Sequence, residues 1–494
     1  LFVPVESIVP YEHTEYGSND FRRQPLLTSM LSPVGPVIAT ADVNGDNLVD
    51  IYAGGTIESP GKLFLQGEDG YFKPSPLFSF PEDINCTDGD ACFFDADGDG
   101  DQDLYIASGG YHEYSAGDKA LQDRLLINDG TGKFTKAANA LPPMLTSKSC
   151  VRQADIDKDG DIDLFVGGWV MPGEYPLPQE SFILLNDGKG KFVNVAPSMI
   201  PALSKGGMIT DAAWVDLNND SWPDLITVGE FMPVRVFIND KGNILREATK
   251  TWFDAQETGF WNKITVCDFD HDGDMDFIAG NFGLNSQLKA SPREPVELYF
   301  KDFDNDGSID PILTYYILGQ SYPFPSRNEL LTQMGVMRRK FPTYDSYSKA
   351  KLSDIFSPED LQTATRYAAT ELRTLLFKNT GSKFEKSLLP MEAQFAPVYA
   401  IEILDYNNDG NEDIILAGNK NAMCVRLGVM DASYGQLFEG DGKGNFKYVP
   451  QAISGLKMIG DVRSLKVVTI KGYQFLLAGI NNIGIITYFL DNTP

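Results

Sequence analysis

Asp95-Ala96-Asp97-Gly98-Asp99-Gly100-Asp101-Gln102-Asp103, followed at once by the apolar run Leu104-Tyr105-Ile106-Ala107, is the stretch on which the reading of this chain turns. It puts aspartates at positions 1, 3, 5 and 9 of a nine-residue loop, and the frame returns six more times. The other copies are Asp42, Asn44, Asp46, Asp50; Asp155, Asp157, Asp159, Asp163; and Asp216, Asn218, Asp220, Asp224. They continue as Asp268, Asp270, Asp272, Asp276; Asp302, Asp304, Asp306, Asp310; and Asp405, Asn407, Asp409, Asp413. A fixed element repeated along a chain is the signature of a repeat architecture.

The spacing suits a hard cation. Ca²⁺ takes about six to eight oxygens at roughly 2.3–2.6 Å, and alternate residues of a tight loop aim their carboxylates inward. Position 7 can lend a backbone carbonyl and position 9 closes the cage. Position 6 is glycine in five copies, where a sharp turn favours a residue free at positive φ; Asn47 and Ser221 stand there in the first and fourth, so those loops are expected to be less regular. An EF-hand needs a glutamate at position 12, where this chain has residues such as Ala53, Ile106 and Val166. Magnesium rarely uses an all-protein cage. Zinc lacks its ligands, since the only histidines are His13, His112 and His271 and no Cys/His spacing fits. Up to seven Ca²⁺ ions are therefore expected.

The chain has 494 residues and a formal charge of −28, and 25 of the carboxylates are aspartates of these loops, so the acidity is mainly a metal-binding trait. It argues against nucleic acid, which needs clustered Lys and Arg. No apolar run is long enough to span a membrane, the tail 473–490 being broken by Asn481 and Asn482. Leu1 in place of methionine suggests a trimmed or mature chain, so membrane anchoring is expected only through a segment before Leu1 or through a partner. The five cysteines are read as small core residues, with Cys86 and Cys92 near enough in sequence to bridge.

Short apolar runs flank each loop, and most copies are followed by a hairpin such as Arg124-Leu-Leu-Ile-Asn-Asp-Gly-Thr-Gly-Lys-Phe134, whose Asp-Gly favours a tight turn. Two hairpins make a four-stranded antiparallel sheet, and radial repetition makes an all-β propeller. Residues 464–470, 473–480 and 483–490 read as three strands without a loop, to be completed by an N-terminal strand that closes the ring, with 20–27 as the candidate. Eight blades result by count, or seven if the fifth and sixth loops, which start at Asp268 and Asp302, share one.

The loops resemble the FG-GAP/VCBS repeats of calcium-binding propellers, as in the integrin α-subunit. Gly167-Gly-Trp-Val-Met-Pro-Gly-Glu-Tyr175 and Thr258-Gly-Phe-Trp-Asn262 resemble bacterial surface members of that family. The resemblance implies a secreted or cell-surface setting with abundant calcium, and names no single activity. The calcium loops should share one propeller face and the long loops the other. On the long-loop face Trp169, Tyr175 and Trp261 are candidate ligand contacts for a glycan or protein partner. Residues 318–373 depart from the repeat as a partly helical insertion on that face, carrying a charge of +2 and the candidates Arg338, Arg339 and Tyr344. No catalytic residue is assigned; a polysaccharide lyase or hydrolase is the alternative to a pure binding module.

Overall fold

The computed structural model describes residues 1–203 and 206–491. Each acidic loop sits between two short strands, because the alternating carboxylates turn the chain back and the apolar runs on either side pair. The third copy is typical: strands Lys148–Ala154, Asp163–Gly168, Phe182–Asn186 and Phe192–Asn194 form one antiparallel sheet in sequence order. There are eight four-stranded antiparallel sheets, one of them with an added fifth strand, the architecture of a β-propeller.

Seven of these sheets stand side by side as blades. Their first strands begin at Ile38, Asp88, Lys148, Met208, Lys263, Val398 and Val462, and each neighbours the next, with the last returning to the first. Seven apolar clusters fill the seven gaps between blades. The cluster of Ile38, Ile51 and Phe64 with Val468, Leu477 and Ile485 joins the last blade to the first. That last blade carries no acidic loop and is completed by the N-terminal strand Phe2–Val5, which pairs antiparallel with Gly484–Leu490. Closure by an N-terminal strand thus holds, but the strand is not 20–27: Asp20–Arg23 is a short helix capped by Asn19.

The eighth sheet lies outside the ring. Residues 281–374 are inserted between the second strand, Asp276–Gly280, and the third, Leu375–Asn379, of the fifth blade, and they contain the sixth acidic loop. In this insert Val296–Lys301 pairs with Asp310–Ile317 on one side and Thr365–Ala369 on the other. Short helices Arg327–Gln333, Tyr344–Tyr347, Leu352–Ile355 and Pro358–Thr363 cover it, the first held by a Ser326–Glu329 capping box. Phe303 and Phe356 stack inside at 3.9 Å, with Leu330, Met334 and Phe341 around them. The other side of the sheet, with Leu298, Leu313 and Phe324, packs onto Tyr111, Trp169, Tyr175 and Phe231, which follow the second strands of blades 2, 3 and 4 or end them. The insert is therefore a cap seated on the long-loop face, built as sheet as well as helix. All five cysteines are free thiols, Cys86 and Cys92 included. Among the described residues no helix is long and apolar enough to cross a membrane.

Candidate functional site

The seven acidic loops share one backbone. Position 6 has positive φ in every copy, from 64° at Asn47 and 70° at Ser221 to 100° at Gly160, so the first and fourth loops are as regular as the rest. Position 2 is a buried apolar anchor throughout: Val43, Ala96, Ile156, Leu217, Phe269, Phe303 and Tyr406. Position 9 is buried in all seven, and its carboxylate accepts the backbone N–H of position 2, as in Ala96 N to Asp103 at 2.9 Å and Leu217 N to Asp224 at 3.1 Å. In the six ring loops its other oxygen accepts an N–H from the third strand, for example Asn128 N at 2.7 Å and Asn239 N at 2.7 Å. In the cap loop Gln333 Nε2 supplies that bond to Asp310 at 2.8 Å. Position 9 thus ties loop to blade as well as facing the loop interior, and burial pushes these carboxyls up, to about 6 at Asp103 and about 7 at Asp163 and Asp224.

Position 3 divides the loops into two kinds. Where it is asparagine, the side-chain amide donates to the position 5 carboxylate: Asn44 to Asp46 at 3.1 Å, Asn218 to Asp220 at 3.1 Å, Asn407 to Asp409 at 2.9 Å. Where it is aspartate, three carboxylates converge with ligand atoms within 4.8 Å of one another. The four groups are Asp95, Asp97 and Asp99; Asp155, Asp157 and Asp163; Asp268, Asp270 and Asp276; and Asp302, Asp304 and Asp306. Each group holds a buried carboxylate oxygen without a hydrogen-bond partner: Asp97 Oδ1, Asp155 Oδ1, Asp270 Oδ1 and Asp304 Oδ1. Burial, and then the neighbouring carboxylates, push Asp97 and Asp304 above the usual range. An all-oxygen set of this kind fits a hard divalent cation, and these four clusters could each hold one.

Six loops lie on the ring. The cap loop stands apart, because the Ile309 carbonyl accepts from Gln24 Nε2 at 3.3 Å while the same amide group bonds Tyr175 O at 3.1 Å and Tyr175 N at 3.0 Å on the long-loop face. On the ring face, His271 Nε2 bonds Glu412 at 2.8 Å, linking the fifth and seventh loops.

The proposed ligand contacts separate. Trp261 is fully buried in the core between blades 4 and 5, so it is packing and not contact surface. Trp169 and Tyr175 are each 8% exposed, covered by the cap sheet that now occupies their face. Arg338, Arg339 and Tyr344 lie exposed on the cap, with Tyr344 beneath the Arg327 guanidinium at 5.2 Å. His112 is buried, bonds Thr87 Oγ1 at 3.0 Å, and is lowered by burial to about 4, while the neighbouring Glu113 is exposed.

An asparagine at the end of the third strand escaped the reading of residue spacing. Asn128, Asn186 and Asn239 each reach back to the preceding blade's loop, donating to Val43 O at 2.7 Å, Ala96 O at 2.9 Å and Ile156 O at 2.9 Å. The signal was the repeated Asn ahead of Asp-Gly or Asp-Lys-Gly, which looks like turn chemistry alone.

The model of the FG-GAP-like repeat matches residues 42–106 and 216–279, which span four of the seven loops. These are FG-GAP-like repeats. No curated protein matches the chain in sequence. Among solved structures, the chain is similar to an Agrocybe aegerita lectin that recognises non-reducing terminal N-acetylglucosamine (16% identity, 85% of this chain and 79% of that one, TM-score 0.43). It is also similar to the V. cholerae biofilm matrix protein Bap1 (10%, 99% and 91%, TM-score 0.38) and to the Dos1 propeller (9%, 100% and 96%, TM-score 0.41).

Proposed function

We propose that this chain is a calcium-held, secreted or cell-surface binding module that recognises a glycan or protein partner through its cap. The observation that carries the recognition surface is the cap itself. It covers the long-loop face and presents Arg338, Arg339 and Lys340, all exposed, beside Val336 at 61% and Tyr344 at 65% exposure, on a chain of net charge −28. Arg and Tyr beside an apolar side chain are what recognition patches are enriched in. The calcium reading is supported by the four carboxylate groups and their unpartnered oxygens. Abundant extracellular calcium would keep such loops filled, which is the reason for placing the protein outside the cell.

The test is a glycan array and a cell-surface cross-linking experiment, each run in calcium with the wild-type protein and an Arg338→Glu/Arg339→Glu variant. Binding lost in the variant supports the reading. Binding equal in both, or turnover of a polysaccharide substrate, contradicts it.

A further inference from the structure

The ring encloses an axial channel, and its capped end is built unlike the rest of the molecule. The cavity there measures about 750 Å³ and is lined by first strands of all seven blades. Its lining carries six basic side chains, of which Lys148, Arg152, Lys263 and Arg463 are ion-paired with Asp123, Asp90, Asp211 and Asp461, and Lys420 and Lys466, among the described residues, are not.

Five of the seven first strands carry a register shift at the same height, skipping Gly89, Ser149, Thr210, Tyr399 and Arg463, and all five of these residues line the cavity. Bulges of this kind re-aim side chains. At this level the channel also meets Trp169, Glu230, Asn262 and Lys420, under a roof that includes Leu31 and Val34 from the N-terminal segment.

Three buried donors in this wall have no hydrogen-bond partner within 3.5 Å, Trp169 Nε1, Asn262 Nδ2 and Arg463 Nε, although the Trp169 indole stands beside the Glu230 carboxylate and lowers it as a donor, and Arg463 Nη2 bonds Asp461 at 3.2 Å. Trp169 as a whole is more than nine-tenths buried. Buried indole and amide N–H groups are normally paired, so three on one cavity wall need an explanation. Lys420 adds a cation that, among the described residues, has no carboxylate within ion-pair distance; its Nζ lies 5.7 Å from the Tyr399 ring, and the Arg463 guanidinium lies 4.1 Å from the same ring. Glu230 is the acid nearest these groups; it accepts from Tyr175 Oη at 3.3 Å, and burial raises its carboxyl while Lys420, Tyr175 and Trp169 lower it.

We propose that this capped chamber binds a small organic carboxylate, of about the size of an acidic mono- or disaccharide. Indole, amide and guanidinium N–H groups receive the carboxylate and its neighbouring oxygens, and Lys420 supplies the counter-charge. A bare inorganic anion would leave most of the volume unfilled, while a cavity of this size suits a small molecule. Entry is from the loop-bearing end, where Gln153 and Lys466 line the channel and are exposed. This site is separate from the outer surface of the cap, so partner recognition and chamber binding stand or fall independently.

The experiment is calorimetric titration of the calcium-loaded protein with glucuronate, galacturonate and malate, with glucose and inorganic phosphate as controls. The expected result is saturable binding of at least one carboxylate, no binding of glucose, and a loss of about tenfold or more in Lys420→Gln and in Asn262→Asp, since a charged hydrogen bond is worth about that much. Both variants are checked by melting curves; Lys420 is half-buried at the cavity and its replacement should leave the fold intact even if Asn262→Asp does not. Binding of phosphate alone, equal binding of glucose, carboxylate binding unmoved by Lys420→Gln, or no binding at all overturns the proposal.

Discussion

Replacing Asn239 tests how the blades are stitched together. Its amide nitrogen donates to Ile156 O at 2.9 Å in the preceding blade's loop and to Pro223 O at 3.1 Å, and its oxygen accepts from Gly242 N at 2.8 Å. The residue is 1% exposed, so water cannot replace these partners. Asn239→Ala deletes three bonds and leaves buried carbonyls without donors, at a net cost of about 2–4 kcal/mol if each bond contributes about 1 kcal/mol and the unpaired groups add desolvation. Asn239→Asp keeps the bond from Gly242 but turns a carboxylate oxygen towards two carbonyl oxygens, so at pH 8 it should be at least as destabilising as alanine and should recover as the new carboxyl protonates. Urea unfolding in EGTA, followed by tryptophan fluorescence, gives the order wild type, then Asn239→Ala, then Asn239→Asp. An alanine variant within about 0.5 kcal/mol of wild type, the usual spread for a neutral surface change, refutes the reasoning, as does an aspartate variant more stable than alanine at pH 8.

Other outcomes follow from the same geometry. Deleting residues 1–5 removes the strand that completes the last blade and the buried Phe2, and should cost at least the roughly 1.5–3 kcal/mol of one large apolar side chain, with hydrogen exchange rising first in 484–490. His112 is held near 4 against 6.5 in the unfolded chain, so unfolding takes up a proton between those values. The stability owed to its neutral ring is therefore complete above pH 6.5 and lost as pH falls towards 4, by about 3 kcal/mol, and the pH slope of urea midpoints should shrink in His112→Gln. Asn44→Asp should add a carboxylate to the first loop and raise its calcium affinity, read by calcium titration in the variant against wild type.

The propeller was legible because two simple periods coincide: oxygen side chains at alternate loop positions, and short apolar runs on both sides. Each acidic loop had to join two strands, and the Asp-Gly turn after Asn128 or Asn186 had to close the second hairpin. Blade order was not legible at the fifth blade, since nothing local to Gly280 or Leu375 announces that ninety-odd residues intervene before the sheet resumes. The closing strand was misplaced for a similar reason: Phe2–Val5 is four residues long, and its partner strand, residues 487–490, lies at the opposite end of the sequence. Aromatic content marked the long-loop face but not its depth. Trp261 and Trp169 look alike in sequence, yet one fills a core between blades and the other borders the axial chamber under the inserted cap. At position 3 a one-atom difference between Asp and Asn decides whether a third carboxylate converges or the side-chain amide bonds the position 5 carboxylate.

Native mass spectrometry of the protein equilibrated in calcium, paired with a melting curve in excess EGTA, tests the calcium-held propeller most directly. The account predicts between four and seven retained Ca²⁺ ions, the four all-aspartate loops among them, weaker retention in Asp97→Asn, and a marked fall in melting temperature on chelation. A protein that retains no calcium, or that melts unchanged in EGTA, contradicts it.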